Sequence, residues 1–312
     1  MYIKLLLAMK IIVAKHAGFC SGVKRAIDIA EKVAKDNNEK IYVYGQLVHN
    51  ERVIEELEKK GMVFVDNIEK IPDNSIVVLR AHGEPGTTYE SLNKKGIKKE
   101  TTLNDATCPL VTSVHNAAIK LKNNGYEVIL FGKKNHPEAI GTSYHIRGKN
   151  TFVAESADDA TYVMDYIKEN NFGKVAIISQ TTMSVADYTK FIENINKLSK
   201  DKFYDMPLNI NDMSKKFVFI NTICDPTKQR QFDSEKMAKE ADVILVIGGK
   251  NSSNSKELAA KCMEFCKDTY FIQSASQIEK GWFKNKKFAG VTAGASTPDV
   301  VINEVIEKIK NY

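Results

Sequence analysis

Three stretches of the chain share one plan: FCSGVKRAIDIAEKV (19–33), TCPLVTSVHNAAIKL (107–121) and ICDPTKQRQFDSEKMA (223–238). In each, a cysteine (Cys20, Cys108 or Cys224) opens a segment that reads as a helix. Each then runs into a β-branched strand ending in a polar loop: IYVYGQLVHNE, EVILFGKKNHPE and DVILVIGGKNSSN. A shorter strand follows (MVFVD, TFVAES, TYFIQS), and another strand closes the copy with a second polar loop: VVLRAHGEPG, VAIISQTTMS and GVTAGASTPD. The spacings agree. His49 lies 29 residues after Cys20, and His136 and Ser252 each lie 28 residues after Cys108 and Cys224. The second loops follow their cysteines by 62 (His82), 73 (Thr181) and 72 (Ser296) residues. A period this long exceeds that of a solenoid repeat and implies whole domains.

The alternation of strands and helices predicts an α/β fold with largely parallel strands. Three similar α/β domains are expected, over 10–105, 106–220 and 221–312, the last ending in the helix DVVINEVIEKIK. A pseudo-threefold trefoil arrangement follows from their likeness. Open parallel sheets bind ligands at the carboxyl ends of their strands. The three cysteines and six polar loops all follow strands, so they are expected to face one central cavity.

Bulk properties set limits on the chemistry. The 312 residues suffice for several cores, and 43% apolar with 27% charged residues is an ordinary globular composition. The net charge of +6 arises from 45 basic and 39 acidic residues, with no basic block that would form a nucleic-acid arm. The opening MYIKLLLAMK is too short and too broken for a signal peptide, and Met9 is a second candidate start. No run reaches the ~18 apolar residues of a membrane helix, so a cytoplasmic location and no membrane partner are expected. Five cysteines without a targeting signal argue against a disulfide framework and for metal or catalytic use. Cys262 and Cys266, one helical turn apart in KELAAKCMEFCKD, read as packing residues of an amphipathic helix.

Three thiolates at matched positions suit zinc or an iron–sulfur cluster. A closed cluster takes four cysteines. Three leave an iron free to act as a Lewis acid on a substrate oxygen. The loops indicate what binds. His49, His82, His136, Ser252, Ser253, Asn254 and Ser296 are neutral donors near predicted helix starts, where unpaired N–H groups attract anions. Several together suit a phosphate or diphosphate. Glu138, two residues after His136, is the acid that an enclosed cavity would turn into a proton donor. Gln180, Thr181 and Thr182 add an amide and hydroxyls nearby. Two other classes fit parts of the pattern. A non-catalytic iron–sulfur redox sensor needs no anion cradle, and a zinc-dependent hydrolase would take the histidines and Glu138 as ligands.

GFCSGVKRAI, GQLVHNERVIEEL, RAHGEPG, DATCPLV, NHPEAIG, SQTTMSV, NTICDPTKQRQ, GGKNSSNSKEL and VTAGASTPD, in this order, resemble the 4-hydroxy-3-methylbut-2-enyl diphosphate reductase (LytB) family from about Lys10 onward. The resemblance implies a trefoil around one 4Fe–4S cluster on Cys20, Cys108 and Cys224. It implies reductive dehydroxylation of the allylic diphosphate to isopentenyl and dimethylallyl diphosphate, the last step of the methylerythritol phosphate route. It maps diphosphate binding to His49, His82, His136, Ser252, Ser253, Asn254 and Ser296. The proton-relay acid maps to Glu138, the residue beside the substrate hydroxyl to Thr181, and further pocket positions to Gln180, Thr182 and Thr227. Ferredoxin or flavodoxin is the implied electron donor. Glu84 stands where the family commonly has a small or apolar residue, and Asp225-Pro226 replaces its usual pair after the third cysteine.

Overall fold

The structure, a computed structural model, describes residues 9–99, 101–209 and 211–312. The N-terminal apolar stretch weighed as a signal peptide lies, up to residue 8, outside the described residues. In chain order the elements are β1 (Lys10–Val13), α1 (Ser21–Asp36), β2 (Ile41–Tyr44), α2 (Glu51–Lys59), β3 (Met62–Val65), β4 (Ile76–Leu79), α3 (Gly86–Lys94), β5 (Leu103–Asp105), α4 (Pro109–Asn123) and β6 (Glu127–Phe131). There follow α5 (Pro137–Ile146), β7 (Val153–Ala154), α6 (Ala160–Glu169), β8 (Val175–Ser179), α7 (Val185–Leu198), β9 (Tyr204–Asp205), β10 (Phe217–Ile220), α8 (Asp225–Ala238), β11 (Val243–Ile247), α9 (Ser253–Met263), β12 (Thr269–Ile272), β13 (Phe288–Ala293) and α10 (Asp299–Lys310).

The strands form three sheets, ordered β3-β2-β4-β5, β7-β6-β8-β10-β9 and β12-β11-β13-β1. Every neighbouring pair is parallel. Apart from the extra edge strand β9, the three orders are the same. A short strand comes first, then the strand of the first loop, then the strand of the second loop, then a strand that leads into a cysteine. β5 leads to Cys108, β10 to Cys224 and β1 to Cys20. The repeat inferred from spacing is therefore a repeat of hydrogen-bonded topology.

This topology corrects one boundary. Lys10–Val13, expected at the start of a 10–105 domain, pairs with Phe288–Val291 of the last copy. The fourth strand of each sheet is the segment that leads to the next copy's cysteine. In the sheet of the last copy that edge is taken by β1, which leads to Cys20.

The described chain divides into two compact units. One comprises residues up to Ser21, His49–Val53 and Asp225–Tyr312, and holds the sheet β12-β11-β13-β1. Its β11 is buried throughout. Val243, Leu245 and Ile247 pack with Val301 and Val305 of α10, while Ile244 and Val246 pack with Met237 of α8 and Leu258 of α9. Helices on both faces are why such strands read as unbroken apolar runs. His49–Val53 is tied in by Arg52, whose two terminal nitrogens donate to the Glu304 carboxylate at 2.7 and 2.9 Å, and by Gln273 donating to Glu51 at 2.8 Å.

The other unit, Gly22–Val48 and Ile54–Cys224, holds the remaining two sheets. Strands β6 and β8 are fully buried. Ile129, Phe131 and Ile177 face α6 and α7, and Val128, Leu130 and Ile178 face α4 and α5. Helices α3 and α6 were not legible in the sequence. Helix α3 begins at Gly86 without a side-chain cap, and the start signal of α6, the Ser156–Asp159 capping box, sits on the short turn before it rather than at its first residue.

Candidate active site

Each cysteine occupies the same place in its copy. Cys20 and Cys224 directly precede the first residues of α1 and α8, and Cys108 is the N-cap of α4, with Pro109 in its first turn. All three are partly buried. The backbone N–H of each donates to the loop after the neighbouring strand: Cys20 to the Ala295 carbonyl (3.3 Å), Cys108 to Ala81 (2.9 Å) and Cys224 to Thr181 (3.0 Å). Ala295, Ala81 and Thr181 lie in the three second loops, at or beside Ser296, His82 and Thr181. Within each sheet the parallel pairing therefore locks the cysteine that opens one copy to the second loop of another.

In the larger unit, the ends of β4, β5, β6, β8 and β10 place His82, Cys108, His136, Glu138, Thr181 and Cys224. The His82 and His136 rings meet edge to face, centroids 5.4 Å apart. His136 caps α5, and its Nδ1 accepts the Glu138 N–H at 3.2 Å. That bond leaves the ring proton on Nε2 of the neutral imidazole, so His136 presents a donor. His82 is held by its loop. Gly83 has φ +78°, a region disfavoured for residues with a Cβ, and such a Cβ would lie 2.7 Å from the His115 ring. Arg80 forms an ion pair with the buried Glu84, which also accepts from Thr88 at 3.3 Å. The unusual Glu84 is thus the partner of Arg80, and the two charges bracket His82. Burial raises the Glu84 pKa, opposed chiefly by Arg80.

Glu138 is 1% exposed. Its Oε1 accepts the Thr181 N–H at 2.6 Å, and its Oε2 lies 2.8 Å from the Thr181 hydroxyl, which donates to it. Burial pushes its pKa up to about 7, against the opposing pull of the two Thr181 hydrogen bonds. Gln180 has a different use. Its Oε1 accepts the Lys133 N–H and its Nε2 donates to Thr182 Oγ1, both at 2.9 Å. Gln180 and Thr182 therefore brace the loop ends of β6 and β8 around Glu138.

In the smaller unit, the ends of β11 and β13 place Ser252, Ser253, Asn254 and Ser296, with His49 beside them. Ser252 caps α9 and accepts from Ser255 N–H (3.3 Å) and Ser255 hydroxyl (2.9 Å). Ser253 is the first residue of the helix. Asn254 is 4% exposed, and its Oδ1 accepts the Ala295 N–H at 2.9 Å. Its Nδ2 is buried and has no hydrogen-bond partner among the described residues. Ser296 donates to the His49 carbonyl at 3.0 Å, and a Cβ on Gly249 would sit 2.3 Å from that same oxygen. Thr227 is buried in the first turn of α8. A buried amide donor at a helix N-terminus that has no acid in its first turn is a place for an anion.

Cys262 and Cys266 stand apart from this chemistry. Both are buried, Cys262 packs with Ile244, Val246 and Leu258, and burial pushes its thiol up to about 12. Helix α9 ends at Met263, so Cys266 lies just past it, its N–H donating to the Cys262 carbonyl at 2.9 Å. His115 and His145, whose rings lie 4.6 Å apart with the His115 ring against Gly83, did not stand out in the sequence. The only signal for them was a histidine on the apolar face of a helix.

Parallel sheets with polar chemistry gathered at their carboxyl ends define the class, an α/β protein built to bind and transform an anionic ligand. The sequence model of the family described as LytB protein matches residues 11–310, and the chain belongs to that family. It is 43% identical over 304 residues to the 4-hydroxy-3-methylbut-2-enyl diphosphate reductase of Buchnera aphidicola subsp. Schizaphis graminum, covering 97% of this chain and 90% of that one. It is 38% identical over 310 residues to the enzyme of the same name from Caldanaerobacter subterraneus subsp. tengcongensis, covering 97% of each. A solved structure of (E)-4-hydroxy-3-methyl-but-2-enyl diphosphate reductase, described as the terminal enzyme of the non-mevalonate pathway, superposes with TM-score 0.65 at 36% identity over 97% of this chain and all of that one. The corresponding reductase structure from Plasmodium falciparum gives TM-score 0.81 at 28% identity, over 96% and 87% of the two chains.

Proposed function

We propose that this chain reduces (E)-4-hydroxy-3-methylbut-2-enyl diphosphate to isopentenyl and dimethylallyl diphosphate, the terminal step of the non-mevalonate pathway. The family membership and the names of its relatives support the reaction. The observation that carries the assignment to these residues is the threefold recurrence of one cysteine geometry, together with a buried, protonatable acid that shares Thr181 with Cys224.

Cys20, Cys108 and Cys224 would hold one 4Fe–4S cluster. The donor set fits: three soft thiols, each at a helix start. When bound, the cluster supplies electron transfer and an iron without a protein ligand. The protein's part is binding and proton supply. His49, His82, His136, Ser252, Ser253, Asn254 and Ser296 hold the diphosphate through neutral donors, with Thr227 lining the pocket. Anchoring through this remote group positions the reacting carbon. Replacing the hydroxyl by hydrogen consumes two electrons and two protons and releases water. Glu138, with a pKa of about 7, is substantially protonated at neutral pH and delivers the proton on which the hydroxyl departs. Thr181 fixes the carboxyl and contacts the substrate hydroxyl.

Ferredoxin or flavodoxin is the electron donor that suits this chemistry, and the cytoplasm the compartment. None of the described helices is long and apolar enough to cross a membrane. Anaerobic purification tests the reading. About four iron and four sulfide per chain are expected, with reduction of the allylic diphosphate under a strong reductant. Zinc without acid-labile sulfide would end it.

A further inference from the structure

Helix α5 carries more polar chemistry than Glu138. Thr142 and His145 follow Glu138 by four and seven residues, so the three share one face. Thr142 is 1% exposed, and its Oγ1 has no hydrogen-bond partner among the described residues. His115, 8% exposed on α4, lies against His145 with ring centroids 4.6 Å apart, and its Nε2 likewise has no partner among the described residues. The same neighbourhood closes around Gly83. The His115 ring abuts that residue, and a Cβ on Gly141, the neighbour of Thr142, would sit 3.3 Å from the Gly83 carbonyl oxygen. Buried polar atoms are almost always paired with protein or ordered water. Thr142 shares its helix face with Ala139 and Ile146, which pack against Val114 and Ala118 of α4, so the two orphans lie on helices packed on one another, where a water would satisfy both.

We propose that Thr142, a water bridging it to His115, and His145 form a proton path that reloads Glu138 from solvent after each turnover. Once Glu138 has given its proton to the departing hydroxyl, the Thr142 hydroxyl, unbonded among the described residues and one helical turn away, rotates toward the carboxylate, passes its own proton to it and takes one from the water. The water takes the Nε2 proton of His115, which regains one at Nδ1 from His145, which is half-buried and takes its replacement from solvent. Each member gives and receives one proton and only the charge of Glu138 changes; His115, left with its proton on Nδ1, turns its ring to present that N–H to the water before the next cycle. A neutral imidazole suits this role because it offers a donor and an acceptor at once. Burial, helped by His145 and opposed by Asp105, holds His115 at a pKa of about 4. Burial and Lys122 lower that of His145.

The path rests on Glu138 being the acid, and two measurements separate the claims. In the substrate-free holoprotein moved into D2O at pH 6, the infrared band of the protonated carboxyl is assigned by its loss in Glu138→Gln. It should shift within the mixing time in the wild type and in Thr142→Ser. It should shift about tenfold or more slowly in Thr142→Val and His115→Leu. With substrate and reductant, those two variants should form one product per site at the wild-type rate and then slow about tenfold or more, because the first proton is already loaded. Exchange as fast as wild type in Thr142→Val overturns the path. So does a slow first turnover without a burst, which a packing defect produces. If His115→Leu does not fold, Thr142→Val alone carries the test. A wild type that forms no product ends the enzymatic reading and leaves the exchange result standing.

Discussion

The starts of α5 and α9 occupy the same place in two copies of one plan and are armed for different work. His136 caps α5 and Ser252 caps α9. Two residues on, Glu138 and Asn254 each accept a backbone N–H from the second loop of their copy, from Thr181 and Ala295. The scaffold is the same to the hydrogen bond, and the side chain decides the chemistry. The carboxyl, buried and held by a hydroxyl on its other oxygen, becomes an acid poised near neutrality. The amide cannot ionise. With its oxygen occupied, it has a buried N–H2 left to offer, which suits an anion. In the first copy the equivalent residue, Glu51, accepts from Gln273 instead. A repeated fold can thus keep one geometry and set either a buried, protonatable acid or a spare amide donor there by a single residue.

The largest expected effect lies in what the copies share. Cys20→Ser, Cys108→Ser and Cys224→Ser should each abolish the brown cluster absorbance and all turnover, whichever unit carries the change. Retention of the spectrum in any one of them would break the equivalence of the three positions. Next, Glu138→Gln converts the acid start into an amide start. The kcat for the allylic diphosphate should fall by roughly 10²–10⁴, with little change in KM. The same variant reports the buried proton through stability. The folded protein keeps the Glu138 proton up to about pH 7, whereas the unfolded chain releases it near 4.5. The native state therefore loses stability as pH rises through that window, and the penalty persists above it. Glu138→Gln lacks this slope, so its Tm relative to wild type should climb between pH 4.5 and 7; a flat difference would mean the carboxyl is not held protonated.

The reverse exchange, Asn254→Asp, puts a negative charge where the anion should sit. Its KM should rise by roughly tenfold to a hundredfold while kcat stays closer to wild type. A change confined to kcat would remove Asn254 from binding. The smallest effect is expected at Cys262→Ala. A buried packing thiol costs about 1 kcal/mol when truncated, read from denaturant unfolding, and iron content should not change.

Much of this was legible because it is local. Parallel strands buried on both faces announce themselves as apolar runs, and β6, β8 and β11 lie where EVILFG, KVAIIS and DVILVIGG predict them. The cysteine spacings disclosed the repeat, and the matched loop positions of the histidines, serines and Asn254 were legible with it. Other features depend on partners distant in the chain. Nothing in KIIVAK indicates that its edge belongs to β13, 278 residues away in register. Nothing in QTT shows that Gln180 is spent on Lys133 and Thr182, and nothing in RAHGE shows that Glu84 closes on Arg80. The types and order of the reactive groups are properties of the sequence. Their protonation, their spare hydrogen bonds and their pairing are decided by the tertiary structure, because burial and the nearest polar atom are set by segments that meet only when the chain is folded.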